Sequence, residues 1–281
     1  MAMTSAGWRW ETYGGIEVQV PDGWGYGITQ WPPCIEQPPR PYVGRPGMIP
    51  LVHCGQMEVP PLNSRVPYLW LDSRLDAGDH THDCGWTQHT RIIGGISITV
   101  LDADATLRTR VLESARPVLD DTDCPAYHAI TDGPTTRPAA GHHGLTGIGA
   151  VESVTICRYA FGDRPAQPAN PVLSLSRIGG DASRQLVQAI LAAPEGSGPN
   201  TPGNCAPHTM YGDEALVLTV RGTTRTQEVF VRYSGCDAHG FDDGHTRRRL
   251  TADALRPLLS GPHQPQHGLQ RTVAELLQPR T

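Results

Sequence analysis

Seven cysteines spread through 281 residues, Cys34, Cys54, Cys84, Cys124, Cys157, Cys205 and Cys236, with no two of them forming a CxxC pair, restrict what this chain can fold into. Spacing this wide suits disulfides that staple loops, whereas a zinc ribbon or a thioredoxin-like centre needs close pairs. Proximity within the expected units pairs Cys34 with Cys54, Cys124 with Cys157 and Cys205 with Cys236, and leaves Cys84 odd. Disulfides persist in oxidising compartments, so the chain is expected to be extracytoplasmic, either secreted or anchored at the cell surface.

Composition narrows the classes. Gly 31 and Pro 26 mark a loop-rich chain of short elements rather than a long helical bundle. All 23 basic residues are arginine, a bias that GC-rich codon usage produces without any chemical reason. The net charge of −5 argues against a nucleic-acid partner, which calls for a basic surface. Arg247-Arg248-Arg249 is too short a run to reverse that and reads as a solvated face. No stretch reaches the ~18 to 20 apolar residues that cross a bilayer. The N-terminal residues Met1 to Trp8 lack the basic and apolar regions of a signal peptide. Cysteines and N-terminus together are read as an ectodomain whose signal or membrane anchor belongs to a longer precursor; a cytosolic protein with reduced thiols is the alternative.

The expected fold class is α+β: two small domains of mainly antiparallel strands with short helices, stapled by disulfides. In the first, residues 1–119, Ile16, Val18 and Val20 alternate with Glu17 and Gln19, the period of a half-buried strand, and Pro21-Asp22-Gly23 ends it. Residues 31–50 read as an irregular proline-rich excursion, 66–71 as a strand, and 91–101 as a hairpin turning at Gly94-Gly95. Asp102 or Asp104 then caps a helix that stops before Pro117. Residues 120–146 lose all periodicity and have linker composition. In the second domain, 147–281, strands are expected at 151–159 and 172–177, followed by a helix capped by Asp181. A hairpin at 215–220 and 227–233 comes next, then two short helices, the first capped by Thr251. Arg116-Pro117-Val118 and Arg256-Pro257-Leu258 close the two regions alike; internal duplication and convergent capping signals both explain it.

The segment Trp8-Arg-Trp-Glu-Thr-Tyr-Gly-Gly-Ile-Glu-Val-Gln-Val-Pro-Asp-Gly-Trp-Gly-Tyr-Gly27, with Cys205 and Val231-Arg-Tyr-Ser-Gly-Cys236, resembles uncharacterised secreted or membrane-anchored proteins of actinobacteria. The resemblance implies an extracytoplasmic, anchored setting and transfers no catalytic residue.

Candidate sites are few. In Asp79-His80-Thr81-His82-Asp83-Cys84-Gly85-Trp86-Thr87-Gln88-His89, an extended backbone turns His80 and His82 to one face, where they could chelate a metal, zinc foremost, with His89, Asp83 or Cys84 as third ligand. The stretch resembles the HxHxDH motif of metallo-β-lactamase-like hydrolases, but its Asp comes one residue early and Gly85 replaces the second His of the motif's tail. Because the sequence shows no convergent third ligand, the expectation is no cofactor, with zinc as the alternative. Cys236 to His245, rich in Asp and Gly, lacks EF-hand spacing and reads as an acidic turn beside a disulfide. Ser174, Ser176 and Ser234 have no GxSxG context. Trp8, Trp10, Trp24, Tyr26 and Trp31 form either a binding platform or part of the core, and Pro38-Pro39-Arg40-Pro41 could be a polyproline ligand.

The function expected from these residues is a binding or sensing module whose partner is a small molecule, glycan or protein at the cell surface. A metal-dependent hydrolase built on His80 and His82, and a structural or adaptor protein, are the alternatives.

Overall fold

The computed structural model describes residues 7–118, 123–133, 135–161, 168–206, 210–265 and 268–278. Met1 to Ala6, read above for a signal, lie outside them. The chain divides into two compact units, one holding the described residues of 1–119 and 264–268, the other those of 120–263 and 269–281. Among the described residues no helix is long and apolar enough to cross a membrane. Both units are α+β, and three disulfides join Cys34 to Cys54, Cys124 to Cys157 and Cys205 to Cys236. Cys84 is free and exposed.

In the first unit β1 (Trp8–Tyr13) and β2 (Ile16–Pro21) form a hairpin across Gly14-Gly15, both at positive φ. Ile16, Val18 and Val20 are buried, as their alternation requires. The larger sheet contains β3 (Gly25–Ile28), β4 (Tyr42–Arg45), β5 (Tyr68–Leu71), β6 (Gly78–Thr81), β7 (Thr87–Ile93) and β8 (Ile96–Asp102), in the order β3-β4-β5-β8-β7-β6. Helix α1 (Ala105–Ser114) follows β8, and the Asp104 carboxylate caps it by accepting from the Thr106 and Leu107 amides. Strand β9 (Arg116–Pro117) then pairs with β2.

The pairs β3–β4 and β4–β5 are parallel, the others antiparallel. Parallel neighbours need crossovers of about a dozen residues or more. Residues 29–41 and 46–67 are those crossovers, and the Cys34–Cys54 bond ties one to the other. The stretch read as irregular therefore contains β4. Its signal was weak because Tyr42, Val43, Gly44 and Arg45 are all buried, which erases alternation. Gly44 is required there, since a Cβ would come within 2.8 Å of both the Ile28 carbonyl oxygen and Trp70 Cδ1.

The second unit is one antiparallel sheet. Its strands are β10 (Val151–Ala160), β11 (Val172–Gly179), β12 (Glu214–Gly222), β13 (Thr226–Arg232), β14 (Gly240–Asp242) and β15 (Arg247–Arg248), in the order β11-β10-β12-β13-β14-β15. Val154, Ile156, Leu216, Leu218 and Val231 cluster with Leu186, Val187 and Ile190 of helix α2 (Gly180–Ala192), Leu255 of α3 (Ala252–Leu255) and Val273 of α4 (Arg271–Leu277). A separate cluster joins Tyr159, Val217 and Phe230 to Cys124 and Ile130, and the Cys124–Cys157 bond holds that segment in place. Asp181 lies in the first turn of α2 rather than capping it; Gly179 is the N-cap. The closing signatures build different things: Arg116-Pro117 is a strand, whereas Arg256-Pro257 follows α3.

Each unit buries an arginine against a glutamate. Arg45 Nη2 donates to Glu11 Oε2 at 2.7 Å, and Arg9 Nε donates to Oε1 at 2.6 Å. In the second unit Arg158 pairs with Glu214, to which the Tyr233 hydroxyl donates at 2.6 Å.

The expected linker at 120–146 is corrected by its hydrogen bonds, although 120–122 and 134 lie outside the described residues. Leu145 is buried and its amide donates to the Asp243 carboxylate at 2.8 Å. Arg225 donates to the carbonyls of His142, Gly144 and Gly147, and Arg232 to those of Gly133 and Thr136. Arg137 grips Asp242 with two bonds, at 2.7 and 2.8 Å. Polar, aperiodic composition here reflects a segment satisfied by side chains of the sheet and its turns, not a free tether.

Two outcomes are expected. Limited proteolysis followed by mass spectrometry will find no cleavage between Thr135 and Thr146 while the fold is intact; release of two halves there would restore the linker. Glu214→Gln, which leaves Arg158 buried without its anion, will cost about 3 to 5 kcal/mol in denaturant unfolding, and a change below about 1 kcal/mol would show that the pair contributes little.

Candidate metal centre

Strand β6 is an edge of its sheet, paired only with β7, and all four of its residues are exposed. Extended backbone turns alternate side chains to one face, and the imidazoles of His80 and His82 lie together with ring centroids 4.5 Å apart. A third group arrives from the β4–β5 crossover: Glu58 Oε2 is 3.0 Å from His80 Nε2. One donor atom from each of Glu58, His80 and His82 falls within 4.8 Å of the others. Ligands at ~2.1 Å from a tetrahedral zinc stand roughly 3.4 Å apart, so small rotamer adjustments would close this set.

Protonation state suits a ligand. Burial lowers the pKa of His82 below the usual imidazole value, helped by neighbouring His80 and Arg65 and opposed by Glu58 and Asp83. Its neutral form, with a free lone pair, therefore persists to lower pH. His82 Nε2 is shielded from solvent and meets no hydrogen-bond partner among the described residues, an arrangement that costs free energy unless something else satisfies the atom.

Two of the other proposed ligands are employed elsewhere, and Cys84, though free, is not in the group of three. His89 Nδ1 lies 3.2 Å from the Asp79 carboxylate, Asp83 Oδ1 accepts from Arg65 Nη1 at 2.6 Å, and Cys84 sits at φ 52 in a tight turn. Sequence reasoning looked for the third ligand inside the histidine stretch and missed Glu58, which lies in a different loop. The usable signal was Cys54, four residues earlier, whose disulfide anchors that loop.

The aromatic set does not make one platform. Trp8 and Trp10 lie on the face of β1 opposite Arg9 and Glu11, and each carries a guanidinium over its ring, Arg110 at 3.7 Å and Arg116 at 4.6 Å. Tyr26 stands by Arg9 on the other side, its hydroxyl pKa pushed up to about 12 by burial and by the Glu11 carboxylate. Trp24 is buried, and Trp31 packs beside Tyr42, Tyr68 and Trp70. Pairing across the two faces of a strand separates residues that are adjacent in sequence.

The acidic segment 236–245 is structural. Although burial opposes it, Arg137, the Gly244 amide and Arg247 hold the Asp242 carboxyl below the usual range. Asp243 accepts from the amides of Leu145, His245 and Thr246. Both carboxylates are thus already partnered, in keeping with the reading as a turn.

Comparison with protein-family models, with curated proteins and with solved structures finds no match to this chain.

The His82 environment is testable by NMR titration. His82 is expected to titrate below an ordinary histidine, and Arg65→Met to raise it, since the change removes a positive charge and releases the Asp83 carboxylate. A value at or above the ordinary one would show that the imidazole is not desolvated.

Proposed function

We propose that the protein is a binding module of an oxidising, extracytoplasmic compartment whose ligand is a divalent transition-metal ion, zinc foremost, held by Glu58, His80 and His82. The observation that carries this reading is the convergence of three donor atoms from two separate segments. Two imidazoles and one carboxylate form a borderline-hard set that suits zinc and leaves a fourth position for water or a partner's ligand. Three disulfides and the resemblance to secreted actinobacterial proteins support the compartment.

Binding is favoured over metal-dependent hydrolysis by exposure. The His80 and Glu58 side chains are 59% and 66% exposed, and an ion held there meets bulk water on most sides. Catalytic zinc works best in a shaped, water-excluding cavity.

Zinc titration of the purified chain, checked by elemental analysis after dialysis, is expected to give one ion per chain. His80→Ala and His82→Ala will each abolish retention and Glu58→Gln will weaken it, while His89→Ala leaves it unchanged. Because ligand imidazoles must be neutral, affinity will fall in acid as protons compete with the metal. A wild-type chain that retains no zinc, cobalt or nickel would reject the reading.

A further inference from the structure

On edge strand β11 the alternation Val172-Leu-Ser-Leu-Ser-Arg-Ile178 reads as a polar face built on Ser174 and Ser176, yet Ser174 is completely buried. What meets these serines is His263, itself 2% exposed, in the turn Gly261–His263 after α3. Ser174 Oγ lies 2.8 Å from His263 Nδ1, and Ser176 Oγ lies 2.7 Å from His263 Nε2. A buried imidazole is thus held between two hydroxyls. The outer hydroxyl opens into a cleft of about 530 Å³ between β11, α2 and the 257–263 segment, a volume within the ~300 to 1,000 Å³ of small-molecule sites.

We propose that this cleft is a second, metal-independent site in which Ser176 is a nucleophile toward neutral esters of short aliphatic acids. The geometry meets the requirement for an activated serine: nucleophile and base within hydrogen-bond reach, and the base oriented by a third group. With its proton on Nδ1 donated to Ser174 Oγ, His263 presents the Nε2 lone pair to the Ser176 hydroxyl. As Ser176 Oγ bonds to the ester carbonyl carbon, its proton passes to Nε2 and the carbonyl electron pair moves onto oxygen. Collapse of that tetrahedral species breaks the bond to the alkoxy oxygen, which takes the proton from Nε2 and leaves as the alcohol. Water then attacks the acyl-serine, gives its proton to Nε2, and the bond to Oγ breaks as Ser176 is reprotonated, releasing the acid.

The lining selects the substrate class. Ile156, Ile178, Leu186 and Ala189 offer hydrocarbon to a short acyl chain, and Asp253 disfavours an anionic substrate. Gln185 lines the same cleft, and its side-chain amide is the candidate donor to the developing oxyanion. Ser176 sits within a strand rather than on a strand-to-helix turn, which is why no GxSxG pattern marks it. A hydroxyl orients His263 less strongly than a carboxylate would, so turnover is expected to be slow.

The test uses the full chain in EDTA, so that its result is independent of zinc. A fluorophosphonate probe, followed by intact mass and peptide mapping, is expected to give a single adduct on Ser176, with slow hydrolysis of p-nitrophenyl butyrate. Ser176→Ala will lose both, and His263→Gln will slow labelling roughly 100-fold. Ser174→Ala, the smallest change, will slow labelling and lower the melting temperature by a few degrees, since it leaves the buried His263 Nδ1 without this acceptor, while Ser174→Thr, which keeps the hydroxyl, will retain labelling. A folded wild-type chain that takes no adduct at Ser176, or ester hydrolysis that persists in Ser176→Ala, would overturn the proposal.

Discussion

A carboxylate buried in a sheet stays ionised only if cations or hydrogen-bond donors are buried beside it, and each unit of this protein contains a buried glutamate that meets this constraint with an arginine. Glu11 and Arg45 fix β1 against β4, with Arg9 and Tyr26 completing the group. Glu214 and Arg158 stand on neighbouring strands β12 and β10, with Tyr233 donating to the same carboxylate. Such pairs add little net stability relative to hydrocarbon, but leaving one partner alone is costly. Alternative registers that separate them are therefore disfavoured, and the two tyrosine hydroxyls, raised in pKa by burial first and by the carboxylate next, remain protonated donors.

The disulfides act on what the sheets leave loose. Cys34–Cys54 joins the two crossovers that parallel pairing demands, and Cys124–Cys157 holds a segment without regular strands against the sheet of the second unit. Each closes a loop whose freedom in the unfolded chain corresponds to roughly 3 to 4 kcal/mol. The first also bears on chemistry. Glu58 lies on a long connection, and a cross-link four residues away restricts where its carboxylate can go. The proposed metal site, drawn from a hairpin edge and a loop, gains from this tether because less loop freedom must be lost when an ion binds.

The two proposed sites differ in character for a physical reason. Glu58, His80 and His82 are near solvent, where an ion can exchange and its charge is screened. His263 is 2% exposed and meets Ser176 at the wall of a cleft, where the hydrogen bond between them is partly shielded from water. Binding suits the first setting and group transfer the second.

Sequence alone determined the elements whose signal is local. The β2 alternation, the Gly94-Gly95 hairpin turn, the Asp104 cap and the β12–β13 hairpin all follow from neighbours within a few residues, as does the nearness of His80 to His82. The wide cysteine spacing was likewise enough to indicate stapled loops. Tertiary structure decided whatever depended on distant partners: β4, whose parallel pairing buries all four residues; residues 135–146, held by Arg225, Arg232 and Asp243; and Glu58, brought to the histidines from another loop. It also decided that Ser174 and Ser176 face inward onto His263, 87 residues beyond Ser176. Periodicity records which face of a strand is polar, but only packing decides whether that face meets water or a buried imidazole.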